Sequence, residues 1–308
     1  MKGISIVICC YNSENKIASS LQFLSKQKKL ADAPFELVLV DNNCTDKTIE
    51  LALNTWNTLG NVYPLRVVVE KKAGLNFARK AGIESALHPY VVLCDDDNWL
   101  CEDYLFKIYN IFETMPRVAI AGGVGQAVSD IALPLWFKLV NGFGYAVGTE
   151  NRQTGITSSV YGAGMSLRKE VYISLFGKND FALTDRKADS LSSGGDTEIC
   201  LLMREAGYQI YFDETLLFQH FINKERLNWS YYLRLRKSFG KANAMLQQQY
   251  DLKNRGAITN YISVAKFAGR NIKYLLFPFW YKNEQCANVV QEWSRQLNLF
   301  ILNKKRFF

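Results

Sequence analysis

The stretch Ile4-Ser-Ile-Val-Ile-Cys-Cys-Tyr-Asn-Ser-Glu14 begins with a mostly apolar run and ends in polar, turn-forming residues. A short apolar run of this kind is typical of a strand that is buried on both faces of a sheet. Three similar runs follow at 35–40, 65–69 and 90–94. Helix patterns separate or follow these runs, at residues 13–30, 45–59, 75–86 and 104–115. Strands that alternate with helices predict an α/β fold with a Rossmann-like, mostly parallel sheet.

Carboxylates stand where two of these strands end. Asp41 follows the second strand, and Asp95-Asp96-Asp97 follows the fourth. Open parallel sheets bind ligands beyond the carboxyl ends of their strands. Three adjacent carboxylates repel one another, and Mg²⁺ or Mn²⁺, which prefers carboxylate oxygens, would offset that repulsion. The alternative is an exposed acidic turn that caps the next helix, but the position after a strongly apolar strand favours a binding site.

The charge of the chain is unevenly distributed. The 308 residues carry a formal net charge of +8, and 48% of them are hydrophobic, which is enough for a buried core and argues against general disorder. Residues 221–308 contain 16 Lys and Arg against 4 Asp and Glu, a net charge of +12. Residues 1–220 therefore carry −4, so the basic excess lies entirely in the C-terminal region.

The C-terminal region is predicted to form basic amphipathic helices near 226–249 and 262–277. The first of these helices is predicted to carry a basic face made of Arg226, Arg234, Lys237 and Lys241. Three interpretations are a solvated surface, a nucleic-acid site or an anionic membrane surface. No nucleic-acid-binding motif is present and the rest of the chain is acidic, so we do not expect nucleic acid as a partner. We favour the membrane surface, because basic amphipathic helices bind anionic lipids.

Composition also excludes several classes of protein. Two histidines are too few for a multi-histidine zinc site, and seven scattered cysteines without a C-x-x-C motif favour a reducing cytosol over a disulfide framework. No stretch reaches the roughly 18 apolar residues of a membrane-spanning helix, and the N-terminus does not match a signal peptide. Neither a G-x-x-x-x-G-K-[ST] phosphate loop nor a G-x-G-x-x-G dinucleotide motif is present.

In its motifs the chain resembles the family 2 inverting glycosyltransferases of the GT-A fold, which use nucleotide-sugar donors. Each motif is weak alone, but five occur in the order that the family shows. They are Ile4–Glu14, Val40-Asp-Asn-Asn-Cys-Thr-Asp-Lys-Thr48, Gly74-Leu-Asn-Phe-Ala-Arg-Lys-Ala-Gly-Ile83, Leu93-Cys-Asp-Asp-Asp-Asn98 and Ser193-Gly-Gly-Asp-Thr-Glu-Ile-Cys-Leu201. The last motif continues to Ala206–Phe212, and the match covers roughly residues 3–222.

The resemblance implies a role for each matched residue. Asp41 corresponds to the aspartate that contacts a uracil-type base, and Tyr11 and Glu14 would line the same pocket. Asp95 and Asp97 correspond to the two ends of the D-x-D metal motif, with Asp97 on Mg²⁺ or Mn²⁺. The residues implied to bind the nucleotide sugar are Tyr11, Glu14, Asp41, Lys71, Arg79, Asp95 and Asp96. Lys71 and Arg79 would add positive charge near the diphosphate.

Asp196 corresponds to the general base that accepts the proton of the acceptor hydroxyl. The alternative is a plain helix N-cap, which aspartate commonly forms. For His220 the two interpretations are a further metal ligand and a half-buried structural histidine. Trp99 either stacks on a sugar ring or packs in the core. The polar loop 184–193 is interpreted as a lid over the donor or as a simple loop.

The sequence thus predicts a GT-A catalytic domain at 1–222 and a basic, mainly helical region at 223–308. The expected activity is metal-dependent inverting transfer from a UDP-sugar to a glycan or lipid-diphosphate-linked acceptor in cell-surface polysaccharide synthesis. We expect a peripheral location at the cytoplasmic face of the cell membrane. One alternative is a non-catalytic membrane- or glycan-binding protein on a degenerate GT-A fold. The other is a sugar-nucleotide-forming transferase, but the Gly-rich opening loop of that class is missing between Cys10 and Ser13.

Overall fold

The structure, a computed structural model, describes residues 2–30, 33–177, 181–183, 194–250 and 261–304, without the side chains of 261–263 and 303–304. The strands are β1 (Ile4–Cys10), β2 (Phe35–Asp41), β3 (Leu65–Val69), β4 (Tyr90–Asp95), β5 (Asn98–Leu100), β6 (Val118–Val128), β7 (Gly155–Thr157), β8 (Ser166–Arg168) and β9 (Gln209–Phe221). The first helices are α1 (Ile17–Ser25), α2 (Thr48–Thr58), α3 (Leu75–Ser85), α4 (Tyr104–Thr114), α5 (Lys169–Phe176) and α6 (Gly195–Glu205). The C-terminal helices are α7 (Trp229–Gln249), α8 (Tyr261–Arg270), α9 (Ile272–Leu276) and α10 (Glu284–Lys304). Two 3₁₀ helices lie at Leu135–Leu139 and Phe143–Tyr145.

The nine strands of the described residues belong to one sheet. Eight of them follow the order β3-β2-β1-β4-β8-β6-β9-β5, and β7 pairs with β9. The pairs β3–β2, β2–β1 and β1–β4 are parallel, as predicted, because their connections run through helices. The strand order reverses between β1 and β4, and a crevice at such a reversal is the usual ligand site of an open α/β sheet.

Several predicted elements have different bounds in the structure. The first helix begins at Ile17 instead of residue 13, because residues 14–16 form a turn and Lys16, with φ −127°, departs from helical geometry. The strand-like run Tyr208–Phe212 at the end of the last motif is predicted to be a strand, and in the structure it extends to Phe221 as β9, since parallel pairing with β6 resumes beyond a register shift. The helix predicted at 262–277 is divided at Asn271 into α8 and α9.

The sheet has an apolar cluster on each face. Ile4, Ile6 and Ile8 of β1 point to one cluster, and Val7 points to the other, as the two-residue period of a strand requires. On the Val7 side, α3 lies close to the sheet at Gly82. A Cβ atom at this position would lie 2.4 Å from Val7 Cγ1. The absence of that atom allows α3, which carries Arg79, to pack directly on the strand.

A third apolar cluster joins the C-terminal helices to the middle of the chain. Trp136 and Tyr145 of the two 3₁₀ helices pack with Trp229 and Tyr232 of α7 and with Ala287 of α10. Within the described residues, none of the helices combines the length and apolar character that crossing a membrane requires. The boundary between 1–222 and 223–308 stays a prediction.

Candidate functional site

A cavity of about 570 Å³ opens at the carboxyl ends of β1 and β4, where the strand order reverses. Seven of the ten site residues predicted from the sequence line this cavity. These seven are Tyr11, Arg79, Asp95, Asp96, Asp97, Asp196 and His220. Residues that are far apart in the sequence therefore meet at the predicted edge of the sheet. The roles that we assigned to them stay predictions.

The other three predicted residues do not line the cavity. The Glu14 carboxylate accepts from the N–H of Lys47 at 3.2 Å, and the Asp41 carboxylate accepts from the N–H of Cys44 at 2.9 Å. Both carboxylates thus hold the loop that leads into α2. Lys71 is exposed in the loop between β3 and α3.

Asn42 lines the cavity next to Asp41 and has a structural role there. Its side-chain amide donates to the carbonyls of Glu70 at 2.8 Å and Lys72 at 2.9 Å, and its oxygen accepts from the N–H of Gly74 at 2.9 Å. An aspartate could not make the two donor contacts, since an ionised carboxylate only accepts. Asn42 therefore ties the end of β2 to the loop before α3.

Asp97 is the most heavily contacted carboxylate of the cavity. Its Oδ1 lies 3.5 Å from His220 Nε2, and its Oδ2 lies 3.7 Å from Lys16 Nζ and 3.4 Å from a terminal nitrogen of Arg226. The Nδ1 atom of His220 is 2.6 Å from the Tyr145 carbonyl oxygen. That oxygen only accepts, so Nδ1 carries a proton and Nε2 is the nitrogen that faces Asp97.

These contacts set the protonation of Asp97 and Asp96. Burial would raise the pKa of Asp97, but His220, Lys16 and Arg226 together hold it well below its usual range. The pKa of Asp96 is raised, mainly by burial, although Lys16 opposes this shift. The Asp96 carboxylate accepts from Ser13 Oγ and from Lys16 Nζ. Asp96 therefore anchors the turn after β1.

Arg79 lies beside both Asp95 and the segment that positions Asp196. Its terminal nitrogen is 3.6 Å from Asp95 Oδ1, and the arginine is buried whereas Asp95 is half-buried. A Cβ atom at Gly162 would lie 2.9 Å from Arg79 Nη2 and 3.2 Å from Asp196 Cβ. Only glycine leaves room for these two side chains to approach the same backbone segment.

Asp196 is held by one backbone N–H outside its helix and by one within it. It is the second residue of α6, and Gly194 occupies the N-cap position, so the interpretation of Asp196 as a plain N-cap is wrong. Its Oδ2 accepts from the N–H of Gly162 at 3.0 Å, and its Oδ1 accepts from the N–H of Thr197 at 2.8 Å. The carboxylate remains half-buried at the cavity wall, where a substrate hydroxyl can reach it.

Two cations of the site were missed by the sequence analysis. Lys16 lies in the turn after β1, close to the predicted pocket residues, and this proximity was the available signal. Arg226 was placed on a helical face with Arg234, but α7 begins only at Trp229. The Asn228 side chain caps α7 by accepting from the N–H of Tyr231, which leaves Arg226 outside the helix. Arg226 instead lines the cavity, and its Nε and Nη2 atoms are buried without a described hydrogen-bond partner.

Trp99 has a packing role in the structure. Its ring stacks on Phe23 at 5.2 Å and on Phe221 at 5.8 Å between ring centroids. It is not among the residues that line the cavity. The contacts of Trp99 agree with core packing and not with sugar stacking. The loop 184–193, which we interpreted as a lid over the donor or as a simple loop, lies outside the described residues.

Glu198 is a fully buried carboxylate two residues after Asp196. It accepts from the N–H groups of Ala182 at 2.7 Å and Leu183 at 3.1 Å, and from the Tyr250 hydroxyl at 2.5 Å. These three donors belong to the segment before residue 184 and to the C-terminal end of α7. Glu198 therefore joins α6, which carries Asp196, to both neighbours.

We expect Glu198→Gln to lower the free energy of unfolding by about 1–3 kcal/mol, measured by urea denaturation. The carboxylate now accepts hydrogen bonds from three donors. The amide nitrogen of glutamine is itself a donor and would face one of them, so at least one buried hydrogen bond is lost. Glu205→Gln, an exposed carboxylate-to-amide change in the same helix, is the matched control and should stay within about 0.5 kcal/mol of the native protein. Equal stability of the two variants would contradict this role of Glu198.

Comparison with known proteins identifies the family. The model of the glycosyl transferase family 2 matches residues 5–176, which is more than half of the chain. The chain therefore belongs to glycosyl transferase family 2, and the resemblance stated from its motifs is confirmed.

Two curated relatives match part of the chain. The chain is 30% identical over 121 residues to the amylovoran biosynthesis glycosyltransferase AmsE of Erwinia amylovora, covering 38% of this chain and 43% of AmsE. It is 31% identical over 110 residues to a poly(ribitol-phosphate) beta-glucosyltransferase of Bacillus spizizenii, covering 35% of this chain and 17% of that protein. The chain thus matches less than half the length of either relative.

Solved structures support the GT-A fold. The mannosyltransferase PcManGT from Pyrobaculum calidifontis, solved with GDP-Man and Mn²⁺, has a TM-score of 0.61 and 17% identity, covering 96% of this chain and 86% of its own. Residues 1–349 of S. aureus TarS, solved with UDP, give a TM-score of 0.51 and 13% identity, covering 100% of this chain and 92% of that one. At these identities the likeness concerns the fold alone, and it confirms the predicted α/β GT-A class.

Proposed function

We propose that this chain is a metal-dependent inverting glycosyltransferase that moves a sugar from a nucleotide donor to a glycan or lipid-diphosphate-linked acceptor. One observation carries the proposal: a fixed carboxylate, Asp196, shares a single cavity with the Asp97–His220 pair and with the cations Lys16 and Arg226. The cavity therefore combines a proton acceptor with groups that stabilise a departing nucleotide diphosphate.

Asp196 acts as the general base. Its carboxylate is oriented by the N–H groups of Gly162 and Thr197, so it is fixed before substrate arrives. It would accept the proton of the acceptor hydroxyl while that oxygen attacks the anomeric carbon, and the bond to the nucleotide diphosphate breaks on the opposite face. A single displacement of this kind inverts the configuration at the anomeric carbon.

The residues present fit a divalent metal, Mg²⁺ or Mn²⁺, held by Asp97 and His220. Because Nδ1 of His220 donates to the Tyr145 carbonyl, Nε2 is the ring nitrogen left for a metal beside Oδ1 of Asp97, and a hydrogen bond from the other ring nitrogen to a backbone carbonyl is typical of a metal-binding histidine. The described residues contain no group of three or more His, Cys, Asp or Glu side chains that could hold a metal ion. Diphosphate oxygens and water would therefore complete the coordination of the metal. When bound, the metal would stabilise negative charge on the leaving diphosphate.

Arg226 and Lys16 supply positive charge in addition to that of the metal. The guanidinium carbon of Arg226 lies about 5.8 Å from the ring centroids of Tyr145 and Tyr231. The buried Nε and Nη2 atoms have no described hydrogen-bond partner, so they can donate to a ligand. A guanidinium suits phosphate oxygens, since it presents several N–H groups in a fixed plane. We therefore assign Arg226 to the diphosphate side of the cavity, with Arg79 next to Asp95.

The family and its relatives support a proposal for the donor and the acceptor. The TarS and PcManGT structures contain UDP and GDP-Man, and the two relatives above are named for amylovoran biosynthesis and poly(ribitol-phosphate) glucosylation. We propose a UDP-sugar donor, an acceptor in cell-surface polysaccharide or polyol-phosphate synthesis, and a peripheral position at the cytoplasmic face of the cell membrane.

A screen of nucleotide sugars tests this function. The full chain is incubated with UDP- and GDP-linked sugars, with and without Mn²⁺, and release of the nucleotide diphosphate is measured. We expect release from a UDP-sugar that depends on the metal and rises when a lipid extract supplies an acceptor. No release from any donor, with or without lipid extract, would instead favour the non-catalytic binding protein.

A further inference from the structure

The turn between α9 and α10 presents large apolar side chains to solvent. We name the exposed set Ile272, Leu276, Phe277, Phe279 and Trp280 the apolar corner. Trp280 is 82% exposed and Leu276 is 63% exposed, and the rings of Phe277 and Trp280 lie 5.5 Å apart. Single exposed apolar residues are ordinary in proteins, but five of them within nine residues form a patch of the kind that marks an interaction site.

The corner is fixed to the protein underneath it. The indole Nε1 of Trp229 donates to the Pro278 carbonyl at 2.8 Å. Tyr274 is buried at the base of the corner and its ring packs edge to face with Tyr281 at 5.1 Å. The exposed rings are therefore presented by an ordered support, so binding through them need not order the turn first.

The charge around the corner has one sign. Residues 252–283 contain six Lys and Arg and no Asp or Glu. The exposed cations of the described part of this segment are Lys266, Arg270, Lys273 and Lys282. A surface with apolar side chains at its centre and only cations around them is complementary to a partner that offers both hydrocarbon and negative charge.

We propose that the apolar corner docks this enzyme on an anionic lipid bilayer, with the aromatic side chains in the interface and the cations at the lipid headgroups. Tryptophan and tyrosine favour this interface because their rings combine an apolar body with a polar group. A lysine next to these rings can place its aliphatic carbons in the apolar layer and its ammonium group at the lipid headgroups. A symmetric contact with a second copy of the chain is disfavoured, because it would bring the same cations together.

The corner lies close to the wall of the catalytic cavity. Trp229, which bonds the corner at Pro278, follows Arg226 by three residues, and three residues span at most about 11 Å. Arg226 lines the cavity and contacts Asp97. A bilayer under the corner would therefore lie within reach of an acceptor whose reacting end enters the cavity.

A second segment leads from the corner to the cavity. Trp136 packs on Trp229 at 5.3 Å between ring centroids, and its neighbours Leu135 and Leu139 are 84% and 60% exposed. Phe143, four residues further along, lines the cavity. This segment therefore carries two exposed apolar side chains between Trp136, which packs on Trp229, and Phe143 at the cavity. The inference rests on the proposed function for the peripheral membrane position and for the lipid-linked acceptor, and it adds the surface through which the chain would bind the membrane.

Flotation of the full chain with lipid vesicles tests the inference. Vesicles of phosphatidylcholine alone are compared with vesicles that also contain phosphatidylglycerol. We expect the native chain to float with the anionic vesicles and much less with the neutral ones. The double variant Phe279→Ser/Trp280→Ser should lower the bound fraction at least about tenfold, since it removes the two aromatic side chains from the interface.

The matched control is Val69→Ser/Leu87→Ser, two residues with 63% and 70% exposure that lie outside the corner. This control should float like the native chain, and circular dichroism should be the same for all three proteins. Flotation that is unchanged in the corner variant, absent in the native chain or equal on both vesicle types would overturn the inference. Nucleotide release in solution, measured in parallel, reports separately on the proposed function, because the corner residues do not line the cavity.

Discussion

Asp196→Asn should lower kcat for sugar transfer by about 10²–10⁴-fold while leaving the Kd for the nucleotide nearly unchanged. Asparagine has the shape of aspartate, and its amide oxygen can still accept from the N–H of Gly162. It cannot accept a proton from the acceptor hydroxyl at neutral pH, so only the chemical step is affected. Initial rates at saturating donor and acceptor give kcat, and titration calorimetry with UDP gives the Kd.

Glu205→Gln is the control for this variant, since it makes the same carboxylate-to-amide change at an exposed position of the same helix. We expect its kcat to match the native value. Near-native turnover of Asp196→Asn would remove Asp196 as the base. A weakened nucleotide Kd together with native turnover at saturation would instead assign the residue to donor binding.

Asp97→Asn should remove most of the Mn²⁺ dependence of nucleotide binding, with a loss of about 100-fold or more in metal affinity. The carboxylate is the anionic member of the pair that faces His220 Nε2, and an amide is a poor ligand for a divalent cation. The asparagine variant is preferred to alanine because alanine would leave Lys16 and Arg226 around an empty space. Titration of UDP with and without Mn²⁺ measures the effect.

Asp103→Asn is the control for the second variant. Asp103 is a half-buried carboxylate six residues further along that pairs with Lys107 and does not line the cavity. Its metal-dependent UDP binding should match that of the native chain. Thermal denaturation shows whether Asp97→Asn remains folded, and His220→Gln offers an independent removal of the second predicted ligand. Full Mn²⁺ dependence in both site variants would move the metal elsewhere.

The predictions that succeeded concern properties that the local sequence encodes. The runs at β1, β2 and β4 are apolar at nearly every position because both faces of a parallel sheet are covered. The end of each apolar run marks the end of its strand, so Tyr11 and Asp95–Asp97 could be placed at one edge of the sheet. The family assignment from ordered motifs succeeded because each motif lies at such a strand end or at a helix start.

The predictions that needed correction concern contacts between distant segments. Arg226 lies 129 residues from Asp97 in the sequence, and its helical periodicity with Arg234 suggested the wrong surroundings. Glu14 and Asp41 hydrogen-bond to the loop that leads into α2, and Lys71 does not line the cavity either; the binding roles of all three stay predictions. Side-chain direction in a loop depends on hydrogen bonds to other segments, which no local pattern specifies.

The sequence by itself determined the sheet, the carboxylates at its edge and the separation of charge into an acidic part and a C-terminal region of +12. These features follow from residue types and their periodicity, which decide what is buried in a strand or helix. Only the tertiary structure decided which cations neutralise Asp97, which backbone groups orient Asp196 and which apolar side chains remain exposed near Trp280. Each of these depends on how segments pack across long sequence separations, because a side chain is buried, paired or exposed only in relation to its neighbours in space.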